Sequence, residues 1–181
     1  MAVTQIDKFC RNLEGLLDNM KDIIGDLNMA QLTSLTKGDV DIVKTYAINL
    51  DKKFLIESFI SSSEPHWDKI LNKDDEFFIT KSSDIFGEYA NYQNFNALKI
   101  IFSKNDKGTS LVDVDTREGI REYIFSLIRI SIGYIFQSKG GTVEKVNENG
   151  INKTKITYRN KNAFPSINIR EHADKWKVKL W

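Results

Sequence analysis

Among 181 residues there is one cysteine, and there are two prolines and two histidines. A single thiol excludes an intrachain disulfide framework and a zinc site built on clustered cysteines. Two prolines and ten glycines exclude a collagen-like chain or an ordinary disordered linker. The longest apolar stretch, Ile120 to Phe136, is interrupted by Arg121, Glu122 and Arg129. A membrane-spanning helix needs about 20 mostly uncharged residues, so no membrane insertion is expected. The N-terminal sequence MAVTQIDKF has neither the basic start nor the apolar run of a secretory signal. An intracellular protein follows as the expectation.

Apolar residues make up 41% of the chain, enough for a sizeable core, and charged residues 28%. The net charge of +1 hides an uneven distribution. Residues 1–138 carry 16 basic and 21 acidic side chains, residues 139–181 carry 10 and 4. The chain favours Lys over Arg (20 against 6) and holds 22 Ile and 15 Asn, a bias typical of AT-rich coding sequence.

Residues 1–138 read as a helical domain. Ile6, Phe9, Leu13, Leu16, Met20, Ile23 and Leu27 recur in steps of three and four, a heptad pattern. Cys10, Leu17 and Ile24 widen the stripe, and Thr4 with Asp7 resembles a capping box. This helix suits packing within the chain, and it is also the candidate interaction helix for a protein partner or self-association. A second helix is expected from about Asp39 to Ser61, carrying Ile42, Val43, Tyr46, Ala47, Leu50 and Phe54 on one face. Pro65 opens a short helix with Trp67, Ile70 and Leu71. Phe95, Leu98, Ile101 and Phe102 suggest another. Asp115 with Glu118 forms a capping box before the strongest helix, about 116–138, which is apolar nearly all round and is ended by Gly140-Gly141.

The period then changes from about 3.6 to 2. Thr142 to Val146 reads as a strand, and Asn149-Gly150 is a strong hairpin signal. Alternation continues around Ile156, Ile167 to Ile169, and Trp176 to Leu180. Residues 139–181 are therefore expected to form three or four antiparallel strands packed on the helices. On this reading Lys153, Lys155, Arg159, Arg170, Lys175, Lys177 and Lys179 share one basic face. Such a face suits phosphates or an acidic protein partner, or it serves as a solvated face whose lysines guard a sheet edge. Trp176, Val178 and Leu180 point the other way, away from the stacking position that single-strand readers use.

No catalytic signature is present. His66 and His172 stand alone, without companions at metal-ligand spacing. Asp113-Val114-Asp115 is better explained by Asp115 as an N-cap than as a phosphotransfer motif. Asp74-Asp75-Glu76 lacks the ligand alternation of a calcium loop and reads as a solvated acidic turn. Cys10 lies on the apolar stripe, where a buried inert thiol is the default. No catalytic residue, metal or cofactor is assigned.

Lys73-Asp74-Asp75-Glu76-Phe77-Phe78 and the stretch Arg117 to Ser131 (REGIREYIFSLIRIS) resemble segments of uncharacterised helical proteins encoded by nucleocytoplasmic large DNA viruses, the giant viruses. The resemblance covers roughly residues 35–136. It implies a viral source and a virion or host-interaction role, and it brings no activity or site residues. The fold expected is α+β, a helical bundle followed by a small antiparallel sheet. The function expected is that of a non-enzymatic structural or protein-interaction protein. The alternative is a nucleic-acid-binding accessory protein that uses the basic C-terminal face.

Overall fold

The computed structural model describes residues 4–90 and 96–181. The protein is α+β: helices to Ser138, then one small antiparallel sheet. The chain divides into two compact units, Met1–Ile128 and Arg129–Trp181. The division falls inside a helix, whereas the sequence places it after residue 138.

In the first unit, α1 (Gln5–Met29) starts at Thr4, whose side chain accepts from the Asp7 N–H. Its stripe is core. Phe9, Leu13, Leu16, Met20 and Leu27 are buried, and Ile6 and Ile23 are half-buried. The helix packs against α2 (Lys37–Asn49), α3 (Lys52–Ser63) and α6 (Ala97–Phe102). Three Lys–Asp pairs join α1 to α2, with Lys44–Asp18 and Lys21–Asp41 both at 2.7 Å. Lys37–Asp22 is solvent-exposed and the other two are partly so, and pairs of this kind contribute little.

The single helix expected over residues 39–61 is two. Asp51 accepts from the Phe54 N–H and caps α3, so the chain restarts there after an extended Leu50. The start of α2 is also earlier than Asp39. Thr36 and Asp39 exchange side-chain bonds with each other's backbone N–H, a complete capping box. A 3-10 turn with Pro65 at its start leads into α4 (Trp67–Leu71), with Trp67 and Ile70 buried. Asp74 caps α5 (Asp75–Lys81), and two 3-10 stretches over Ser82–Ala90 bend at Gly87. Phe95, which the spacing assigns to the next helix, lies outside the described residues.

The long helix α7 (Val114–Ser138) is capped by Asp113, whose carboxylate accepts from the Thr116 N–H at 2.9 Å, and not by Asp115. Glu118 is thereby released from the expected capping box. Among the described residues no helix is long and apolar enough to cross a membrane.

In the second unit, α7 ends at Gly140 in the left-handed region (φ 59°). Then β1 (Gly141–Glu148) and β2 (Ile151–Tyr158) pair around Asn149-Gly150, both at positive φ as a two-residue turn requires. Val143, Ile156 and Tyr158 share the half-buried face.

The further strands do not form. Residues Ile169–Trp176 are a helix, α8. Asn168 caps it through the Glu171 N–H, and Ile169, Ala173 and Trp176 fall at i, i+4 and i+7 on its buried face. Alternation over Ile167 to Ile169 and over Trp176 to Leu180 spanned too few residues to distinguish period 2 from this helical spacing. Lys177 closes α8 in the left-handed region, with the Val178 N–H bonded to the Ala173 carbonyl. Trp176 is buried as the sequence reading required, but Leu180 is only half-buried.

Candidate interaction surfaces

Most of the candidate interaction helix is taken up by the fold. Phe9, Leu13, Leu16, Met20 and Leu27 are buried and Ile6 and Ile23 half-buried, while its far end, at Ile23 and Leu27, also borders a groove. Cys10 is half-buried beside Leu13, Leu17, Ala47 and Leu55, and burial raises the pKa of its thiol.

Exposed apolar side chains stand elsewhere. Met29 is 84% exposed, Leu32 50% and Val114 60%. They flank, along the chain, a groove of about 290 Å³ between the end of α1 and the start of α7. Ile23, Leu27, Leu32, Leu111 and Val112 line it, and Asp26 and Asp113 add two carboxylates. Asp113 accepts bonds from Thr116, which lower its pKa and keep it ionised. Sequence reading missed this surface because Met29 and Leu32 lie off the heptad positions of α1 and the opposite wall is built by residues 111–116, far along the chain.

The seven cations do not share a sheet face. Lys153 and Lys155 stand on β2 and Arg159 follows it. Arg170 and Lys175 are on α8, and Lys177 and Lys179 follow that helix. The face that holds Lys153 and Lys155 also holds Glu144 and Glu148. Lys153 pairs with Glu148 at 3.1 Å and Lys175 with Glu171 at 3.0 Å. Lys155, Arg159, Arg170, Lys177 and Lys179 are exposed and have no ion pair among the described residues. The unit 129–181 nevertheless carries 11 basic and 4 acidic residues.

A charge cluster that the sequence did not reveal joins α5 to α7. The side chain of Arg121 is 4% exposed. One Nη donates to Asp75, and its Nε lies 2.9 Å from Glu118. Arg117 reaches the other Asp75 oxygen at 3.2 Å, and Lys73 reaches Glu118 at 2.6 Å. The Arg121 guanidinium lies 4.7 Å from the Phe102 ring centre and 5.3 Å from that of Phe78, and the two rings stack at 4.5 Å. Lys73 lowers the pKa of Glu118. Both carboxylates are held by cations, so the cluster is a clamp between helices. The expected solvated turn at Asp74-Asp75-Glu76 is thus a cap and an ion-pair partner. The signal available in the sequence was Arg117 and Arg121, one turn apart on a single helix face.

His66 lies against the Phe77 ring at 5.1 Å, and His172 is half-buried on α8. Among the described residues no group of three or more His, Cys, Asp or Glu is placed to hold a metal ion. No protein-family model, no curated protein and no solved structure matches this chain.

Proposed function

We propose that the protein is a non-enzymatic interaction protein that docks a partner at the groove between α1 and α7. The observation that carries this reading is a groove in which exposed Leu32 joins Ile23, Leu27, Leu111 and Val112 beside the carboxylates of Asp26 and Asp113, with Met29 and Val114 exposed next to it along the chain. Single exposed apolar residues are ordinary, but a group of them around a concavity marks a contact surface. Asp26 and Asp113 favour a partner segment with basic residues beside an apolar anchor. The resemblance to the giant-virus proteins directs this role to the virion or to host interaction. The test is affinity capture from cells of the source organism with the wild type and with a Met29→Asp, Leu32→Asp variant. A partner held by the wild type and lost by a folded variant supports the reading. Equal capture by both overturns it.

A second reading, nucleic-acid binding, rests on the five exposed, unpaired cations of residues 129–181. Anisotropy with DNA and RNA at about 50 mM and 200 mM salt tests it, because phosphate contacts weaken steeply with salt. Reversal of Arg170, Lys177 and Lys179 to Glu abolishes binding if these residues hold phosphates. Binding that survives the reversal or ignores salt refutes it.

A further inference from the structure

The hairpin has two bare edges. Its sheet consists of β1 and β2 alone. Antiparallel ladders alternate between pairs that exchange both backbone bonds and pairs that exchange none. The two-residue turn places Glu148 opposite Ile151, and the Arg159 N–H donates to the Gly140 carbonyl. Both facts set the same phase: even positions of β1 and odd positions of β2 bond inward. The backbone groups of Val143, Lys145 and Asn147, and of Asn152, Thr154 and Ile156, therefore point outward. None of them has a backbone partner outside the hairpin among the described residues. At the tip Ile151 is 60% exposed. A two-stranded hairpin is marginal alone, and a bare edge is a template for one more strand.

We propose that the outer edge of β2 receives β1 of a second copy of this chain, antiparallel, in the register that the two strands already use. The occupant is argued from register and charge. In both strands the outward set is the complement of the inward set. The same register can therefore repeat with bonded and non-bonded pairs exchanged. Glu144 of one copy then meets Lys155 of the next, Val143 meets Ile156 and Lys145 meets Thr154, as within the hairpin. Like edges match poorly. Two β2 edges centred on each other set Lys153 against Lys155, and two β1 edges set Glu144 against Glu148, and like charges directly opposite destabilise a sheet. The contact is heterologous, so it leaves one edge free at each end and builds open chains instead of a closed dimer. This surface is separate from the α1–α7 groove, and neither proposal depends on the other.

The test is sedimentation velocity of the full chain over a roughly hundredfold concentration range, with amide exchange measured on the same samples. Species larger than the monomer are expected to grow with concentration. The amides of Lys145, Thr154 and Ile156 gain protection as they do, while the inward amides of Lys153 and Lys155 are protected throughout. Thr154→Pro removes an outward donor and spares the ladder, so it is expected to stay monomeric with Lys153 and Lys155 still protected. Lys155→Glu sets Glu against Glu144 and is expected to weaken association roughly tenfold. Adding Glu144→Lys restores it, a readout that does not depend on how well the proline variant folds. A wild type that remains a 20.8 kDa monomer throughout overturns the proposal. So does a Thr154→Pro chain that assembles like wild type with its inward amides protected.

Discussion

Asp75→Asn tests the clamp between α5 and α7. The substitution keeps shape and removes charge. Arg121 stays buried at 4% exposure, held only by Glu118 through its Nε, and Arg117 loses its one carboxylate. Breaking a fully buried ion pair by removing one partner costs about 3–5 kcal/mol. Asp75 itself is 38% exposed and Glu118 remains, so the expected loss is smaller, about 2–3 kcal/mol. Arg121→Met gives the contrast. It leaves an apolar chain against Phe78 and Phe102, while Asp75 is left where water and Arg117 can reach it. It should cost less than Asp75→Asn, by about 1 kcal/mol or more. The assay is urea denaturation followed by circular dichroism, with the midpoint compared at unchanged slope. If Asp75→Asn costs under about 0.5 kcal/mol, or if Arg121→Met costs more, then burial of the guanidinium does not govern this site.

Three further outcomes are expected. Leu16→Ala should cost about 2–5 kcal/mol, and its effect should not depend on protein concentration, because Leu16 is fully buried within the chain; denaturation at two concentrations checks both points. Trp176→Ala should cost about 3–5 kcal/mol in the unit 129–181, read from exchange of the α8 amides. Lys73 and Arg121 hold the folded pKa of Glu118 below its ordinary 4.5, so this contribution is present above about pH 4.5 and is lost as pH falls through the lower folded value. Acid titration of the wild type against Lys73→Met should show that part of the loss disappear in the variant.

The sequence made some features legible because a single local rule determined them. The heptad of α1, the Asn149-Gly150 turn and the Gly140 stop each depend on a few adjacent residues. Other features needed choices that local rules leave open. Asp113 and Asp115 are both good caps two residues apart, and the Asp113–Thr116 bonds select the first. The alternation over Trp176 to Leu180 was accurate as a pattern, but Asn168 capping and burial of Ile169, Ala173 and Trp176 impose a helix on its first part. The basic face failed with that strand, since it needed a period that the chain does not keep. The Arg121 clamp was least visible: it joins residues more than forty positions apart, and nothing local ties Asp75 to α7.

Domains are ordinarily joined by loops, which is where proteases cut and where genes are rearranged. Here the seam between Ile128 and Arg129 is the interior of a continuous helix. A protease that needs several residues of extended chain finds none there, and limited digestion should open the turns around residues 30–36 and 160–168 first. Neither unit can be removed or transplanted at the seam without severing the hydrogen bonds of α7. The two units, opposite in net charge, are thus joined by helix and not by loop.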